Sequence, residues 1–171
     1  MKFVVISDIH GRGAFVERVM EMHRDRDGLL FLGDGIRDIP LDRVRENGKL
    51  FGGVRGNCDM ALFGTDGFDF PNELLLRLGE YNVIMMHGHT HSVKSGETRA
   101  IEYASKRGAD ILLYGHTHIP TETYYPEGYD ANGYILPKPL WVMNPGSLFD
   151  GSFGLLQIRR GQILISHGNI K

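Results

Sequence analysis

Seven side chains in this sequence can each offer a lone pair to a cation, and each follows a short apolar run: Asp8, His10, Asp34, Asn57, His87, His116 and His118. Two carboxylates, one carboxamide and four imidazoles make an N/O donor set without thiolate. Such a set suits manganese, iron, nickel, cobalt or zinc better than calcium or magnesium, which prefer all-oxygen surroundings. Taken singly the motifs say little: Asp8-Ile9-His10 reads as the polar end of a strand, and Gly33-Asp34 as a turn pair. Gly115-His116-Thr117-His118 says more, because two imidazoles two residues apart after an apolar run have few structural uses. The register decides. Asp8 and Asp34 are 26 positions apart, Asp34 and Asn57 23, Asn57 and His87 30, and His87 and His116 29, each close to the roughly 30 residues of a strand-helix-strand unit. Open α/β sheets bind ligands outside the carboxyl ends of their strands, so side chains recurring at that interval converge on one sheet edge.

The elements that must carry them follow from hydrophobic pattern. Phe3 to Ile6, Gly28 to Leu32, Leu50 to Val54, Val83 to Met86 and Ile111 to Tyr114 are continuous apolar runs of strand length, as expected of strands buried on both faces. Phe15, Val16, Val19 and Met20 recur at helical spacing opposite Glu17, Arg18 and Glu21, and Ala100, Ile101 and Ala104 mark a second helix closed by Gly108. Leu74 to Leu78 and Val83 to Met86 flank Gly79-Glu80-Tyr81-Asn82 and read as a hairpin. Trp141 to Met143, Phe153 to Ile158 and Gln162 to Ile165, the last two joined by a turn at Arg160-Gly161, read as antiparallel strands. Strand-helix alternation followed by hairpins implies an α/β fold with mixed sheets. The stretch at about 119–140 carries four of the seven prolines and reads as an irregular insertion.

The 171 residues are about one domain's worth of chain, so residues 1–171 are expected to form a single domain. With 42% apolar and 23% charged residues, disordered and fibrous classes are excluded. A net charge of −2, from 19 basic and 21 acidic side chains, argues against long nucleic acid as a partner. No run approaches the roughly 20 apolar residues of a membrane helix, and the N-terminal run is too short for a secretory signal. One cysteine, Cys58, makes a reducing, cytoplasmic setting the expectation. Glycine, at 23 residues, is about twice its average usage of roughly 7%, which suggests tight turns and close backbone approaches.

Asp8-Ile9-His10, Gly33-Asp34, Gly56-Asn57-Cys58-Asp59, His87-Gly88 and Gly115-His116-Thr117-His118, in that order, resemble the motifs of the calcineurin-like metallophosphoesterases, in particular the small YfcE-type phosphodiesterases. Asn144-Pro145-Gly146-Ser147 is similar to a further marker, and the resemblance spans nearly the whole chain. It implies a metallo-dependent phosphatase fold, a four-layer α/β/β/α sandwich of two mixed β-sheets. It also implies two divalent ions, one held by Asp8, His10, Asp34 and His118, the other by Asp34, Asn57, His87 and His116, with Asp34 shared. The implied reaction is hydrolysis of a small phosphodiester by a hydroxide bridging the ions, with Asp34, Asn57 and His116 as catalytic residues. The physical logic agrees. Two cations about 3.5–4 Å apart clamp attacking and leaving oxygens, and neutral Asn57 keeps the site positive where a third carboxylate would not. A phosphomonoesterase on the same site and a non-catalytic protein-binding scaffold are the rival readings. Relatives of this kind are often dimers or larger, so a homodimer stays open.

Substrate contacts are expected from Cys58, Arg12, Arg55 and His89. Cys58 stands where larger relatives place a histidine that handles the leaving group, and a thiol with a pKa near 8.5 is a poorer acid than imidazole. Arg12 and Arg55 adjoin motif residues and could contact a phosphate oxygen, or equally form surface ion pairs. Gly88-His89-Thr90-His91 repeats the string at 115–118 but follows a strand whose first ligand is already His87, so His89 and His91 are expected to face substrate or solvent. His23 and His167 read as surface residues, and Tyr124, Tyr125, Tyr129 and Tyr134 as a packed loop or a lid.

Overall fold

A computed structural model of the protein describes residues 1–44, 49–59 and 70–171. Strand β1 (Lys2–Ile6) is followed by helix α1 (Gly13–Met22), β2 (Gly28–Phe31), the single turn α2 (Leu41–Val44) and β3 (Leu50–Gly53). β2 and β3 both run parallel to the strand before them, and the hairpin of β11 (Ser152–Arg159) and β12 (Gln162–Asn169) adds to the other side of β1, giving the order β12-β11-β1-β2-β3. The second sheet is built from β4 (Glu73–Leu78), β5 (Tyr81–Met86), β6 (Ile111–Tyr114), β7 (Thr121–Tyr125) and β10 (Leu140–Asn144), in the order β4-β5-β6-β10-β7. Helix α3 (Thr98–Lys106) crosses from β5 to the parallel β6.

Strand alternation turns these two sheets into four layers. Successive side chains on a strand face opposite ways, so Phe3 and Val5 of β1 meet Val83, Met85, Ile111 and Leu113 in a core between the sheets. Val4 and Ile6 face outward onto Val16, Val19 and Met20 of α1. Ile84, Met86, Leu112 and Tyr114 face the other way, onto Ala100, Ile101 and Ala104 of α3. The runs look unbroken in sequence because both faces are covered, and the result is the α/β/β/α sandwich.

Three expectations change. Trp141 to Met143 is not part of an antiparallel run: β10 lies parallel to β6 and antiparallel only to β7. The stretch at 119–140 is less irregular than its prolines suggest, since Thr121–Tyr125 forms the edge strand β7. Only its remainder is a small appendage, a two-residue ladder of β8 (Asp130–Ala131) and β9 (Tyr134–Ile135). Its tyrosines pack rather than cover the site: the Tyr125 and Tyr114 hydroxyls both donate to the Glu97 carboxylate, and the Tyr124 ring lies 4.9 Å from that of Trp141. Tyr81 and Asn82 belong to β5, leaving Gly79-Glu80 as the turn.

Candidate metal centre

The loops leaving β1, β2, β5 and β6 are stitched together by their backbones before any side chain is considered. The Asp8 N–H donates to the Gly33 carbonyl (2.9 Å), the Ile9 N–H to the Asp34 carbonyl (2.7 Å), and the Gly115 N–H to the His87 carbonyl (3.1 Å). These contacts need close approach. A Cβ on Gly56 would lie 2.0 Å from Asp34 Oδ1, and one on Gly115 2.0 Å from Ser7 Oγ. The loops are also strained. Asp8, His10, Asp34, His116 and His118 all have positive φ, between 44° and 69°, a region that side chains other than glycine rarely occupy. Backbone strain gathered at one point is characteristic of functional sites, where the surroundings hold residues in costly conformations.

The side chains meet in two overlapping groups. In the first, Asp8, His10 and His118 place their donor atoms within 4.8 Å of one another; in the second, Asp34, His87 and His116 do the same. Asp34 joins them: its Oδ2 is 3.4 Å from His87 Nε2 and 4.0 Å from His10 Nε2. Asn57 Oδ1 adds to the second group at 3.2 Å from His87 Nε2, and His116 Nδ1 lies 3.1 Å from that same nitrogen. His10, Asp34 and Cys58 form a third set within the same limit. All seven expected side chains thus come together, from positions more than a hundred residues apart.

The donor set fits a cation. His87 Nδ1 lies 2.7 Å from the Leu32 carbonyl, which can only accept, so Nδ1 carries a hydrogen and Nε2 is the nitrogen turned inward, free to offer a lone pair to a cation once its own proton is displaced. Nε2 faces two oxygen acceptors, Asp34 Oδ2 and Asn57 Oδ1. In the first group Asp8 Oδ1 belongs to a residue wholly inaccessible to solvent, makes no hydrogen bond among the described residues, and has His118 Nε2 3.2 Å away. A buried carboxylate oxygen is costly unless a positive charge faces it, which a cation bound among Asp8, His10 and His118 would supply. His10 and His118 remain partly exposed, so the centre opens to solvent on their side.

Electrostatics follow the same geometry. Burial alone would raise the Asp34 carboxyl, but bonding and attraction from His87 and the Cys58 amide hold it well below the usual carboxylate range. Burial opposes charge on His87, yet Asp34 and Asp8 raise its pKa. His116, half-buried beside His87, is pushed down to about 4 by desolvation and the neighbouring His87, and so presents a neutral ring at physiological pH. Burial and the Asp34 carboxylate push the Cys58 thiol up to about 11.

The other expected contacts divide. His89 lies at the centre, its ring 5.4 Å from His87 and 6.1 Å from His116, with a buried, unpartnered Nδ1. His91 does not: its ring packs against Tyr103 at 4.5 Å. The Arg12 guanidinium stacks over the Phe149 ring at 4.8 Å and the Phe15 ring at 5.5 Å. Arg55 Nε donates to the Phe70 carbonyl at 2.7 Å, which ties it to backbone. Neither His23 nor His167 is a plain surface residue. The His23 ring is half-buried edge-on to Phe153, and His167 Nε2 sits 2.8 Å from the Asn144 carbonyl.

Two supporting residues carried no role in the sequence reading. Asp59 is buried and accepts four backbone N–H groups, from Asp34 (2.7 Å), Gly56 (2.8 Å), Gly35 (2.9 Å) and Ile36 (3.1 Å). Asn144 Nδ2 donates to the Gly115 carbonyl and to Thr117 Oγ1, both at 2.9 Å, bracing the loop of His116 and His118. Both lie inside quoted motifs, and only their partners in space reveal what they do.

A two-sheet sandwich whose loops gather buried carboxylates and imidazoles at one sheet edge fits a class, the metal-dependent phosphoesterases. The chain belongs to the calcineurin-like phosphoesterase superfamily, whose domain model matches residues 1–167. It is 30% identical over 149 residues to the probable metallophosphoesterase YsnB of Bacillus subtilis, covering 86% of this chain and 75% of that one. It is 28% identical over 152 residues to phosphodiesterase YfcE of Escherichia coli, covering 77% of each. Among solved structures, a conserved uncharacterized protein of Streptococcus pneumoniae, itself described as a predicted phosphoesterase, superposes with a TM-score of 0.73 at 24% identity over 98% of this chain and 88% of that one. Vps29 of Entamoeba histolytica complexed with zinc shares the fold at a TM-score of 0.66 and 19% identity, over 99% of each chain. The protein is a metal-dependent phosphoesterase of the α/β sandwich type.

Proposed function

We propose that the protein hydrolyses small phosphodiesters with a pair of divalent transition-metal ions, manganese foremost. Asp8, His10, Asp34 and His118 would hold one ion and Asp34, Asn57, His87 and His116 the other. The observation that carries this reading is the position of Asp34 Oδ2, between His10 Nε2 and His87 Nε2, one from each group. Divalent ions bound there supply Lewis acidity and lower the pKa of water towards about 7.

The chain's own residues have separable tasks. Asp34, low in pKa and fixed through its backbone, brings the one shared negative charge to the centre. His87 is locked in one tautomer by Leu32, and His116 stays neutral, so each offers a lone pair. Asn57 contributes an oxygen without charge, which keeps the centre attractive to a phosphate anion. His89 faces the same space and would donate a hydrogen bond to a non-bridging phosphate oxygen, and the Cys58 thiol, protonated at neutral pH, would do likewise.

A diester preference is supported by likeness to a relative named phosphodiesterase and by the ties on Arg12 and Arg55, which leave no evident paired-arginine clamp for a dianion. A reducing, cytoplasmic setting suits the free Cys58. The test has three parts. Elemental analysis should give two metals per chain. Turnover of bis(p-nitrophenyl) phosphate should exceed that of p-nitrophenyl phosphate and vanish with chelator. Asp34→Asn and His116→Ala should abolish turnover while retaining the wild-type circular dichroism spectrum. Full activity in either variant refutes the assignment, and a monoester preference replaces the diesterase reading with a monoesterase.

A further inference from the structure

Next to the candidate metal centre lies a cavity of about 280 Å³ lined by His10 and Cys58 together with the turn Ile36–Asp38, which carries Arg37. The cavity shares two side chains with the ligand cluster, so a substrate phosphate at the centre would extend an ester arm into it. We propose that this cavity receives the arm of the diester that is not cleaved, and that Arg37 selects arms ending in an anion, a carboxylate or a second phosphate.

The charges lining the cavity decide its preference. Two carboxylates are present, Asp38 and Asp59, and both are turned to backbone. Asp38 Oδ2 accepts the Gly11 N–H at 2.8 Å, and Asp59 accepts the N–H groups of Gly35 and Ile36 together with those of Asp34 and Gly56. Amide hydrogen bonds commit those negative charges. Arg37 is different: it is exposed, and among the described residues it makes no hydrogen bond or ion pair. Its base is nevertheless fixed, because Ile36 is anchored in the core and its N–H is clamped by Asp59. A guanidinium on a rigid turn, paired with no carboxylate among the described residues and lining a cavity that shares His10 and Cys58 with the candidate metal centre, is suited to recognise an anion.

This inference rests on the phosphodiesterase reading, and its test separates the two. The probes are p-nitrophenyl phosphodiesters whose second arm is 3-carboxypropyl or the uncharged 3-carbamoylpropyl. The matching methylphosphonate monoesters keep a diester's single charge and offer no nitrophenolate leaving group. In manganese-loaded protein the carboxylate substrate should have the lower KM at similar kcat. Arg37→Ala should raise that KM roughly fivefold, the scale of one exposed ion pair, and leave kcat and the carbamoyl substrate unchanged. Arg37→Glu should invert the preference. Calorimetric titration with the phosphonates should follow the same order. Equal affinity for both phosphonates in the wild type, or equal loss of both in Arg37→Ala, overturns the Arg37 assignment. Absence of turnover with either diester overturns the phosphodiesterase reading, and the phosphonate titration still decides the role of Arg37.

Discussion

Asp59 holds Asp34 by its backbone rather than by its side chain: Asp59 Oδ2 accepts the Asp34 N–H at 2.7 Å, and the same carboxylate takes the N–H groups of Gly35, Ile36 and Gly56. Asp59, which is not one of the seven side chains gathered at the centre, therefore braces the backbone of Asp34, whose side chain reaches both groups. Asp34 has φ of 62°, and the bonds to Asp59 are what keep it there.

Asp59→Asn replaces one carboxylate oxygen by an NH₂ that faces two N–H donors. Losing charge-assisted bonds and gaining an unsatisfied donor in a buried position should cost about 2–3 kcal/mol in stability. Metal affinity should fall about 10–100-fold, as for other groups that orient ligands. Urea unfolding and titration with manganese would measure the two effects, and a variant with unchanged metal affinity would remove Asp59 from this role.

Cys58 occupies the position from which larger relatives are expected to assist the leaving group. Burial and Asp34 raise its pKa to about 11, so it is a weak proton donor. Cys58→His should raise turnover of alkyl diesters by more than that of nitrophenyl diesters, whose leaving group needs no proton. The ratio of the two rates in variant and wild type is the measurement, and an equal change in both would refute the idea.

Alkaline stability should depend on Glu97. Burial and the Glu97 charge raise the pKa of both Tyr114 and Tyr125. An unfolded tyrosine titrates near about 10, so the folded state keeps protons that the unfolded state has released. The contribution of these hydroxyls is fully present below that pH and is lost as pH rises towards their folded values. Denaturant unfolding should show stability falling above about pH 10, with a shallower fall in Tyr114→Phe and Tyr125→Phe. The same slope in wild type and both variants would sink this prediction.

Much of the convergence was legible in the sequence because Asp8, Asp34, His87 and His116 lie within three residues of a strand end, and strand ends are marked by an apolar run stopping at a glycine or a charge. His10, Asn57 and His118 lie a residue or more farther along the same loops. That signal failed where the role depends on a partner across the fold. Nothing in Gly88-His89-Thr90-His91 distinguishes His89, which turns to the centre, from His91, which turns to Tyr103. Likewise the prolines at 119–140 masked the edge strand β7, which contains none of them: Pro120 and Pro126 stand just outside Thr121–Tyr125 and bound it.

What the sequence determined by itself was the donor inventory and its interval, and hence the chemistry: N and O ligands spaced by about one strand-helix-strand unit cannot be scattered at random along a sheet edge. The tertiary structure decided which donors lie together, that the Asp34 carboxylate reaches both groups, and that Asp59 and Asn144 brace the loops. It also decided that β10 runs parallel to β6. The physical reason is that periodicity reports which face of a strand is buried, a local property. Pairing direction, backbone clamping and lone-pair convergence depend on contacts between segments far apart in the chain, such as the 108 positions between Asp8 and His116.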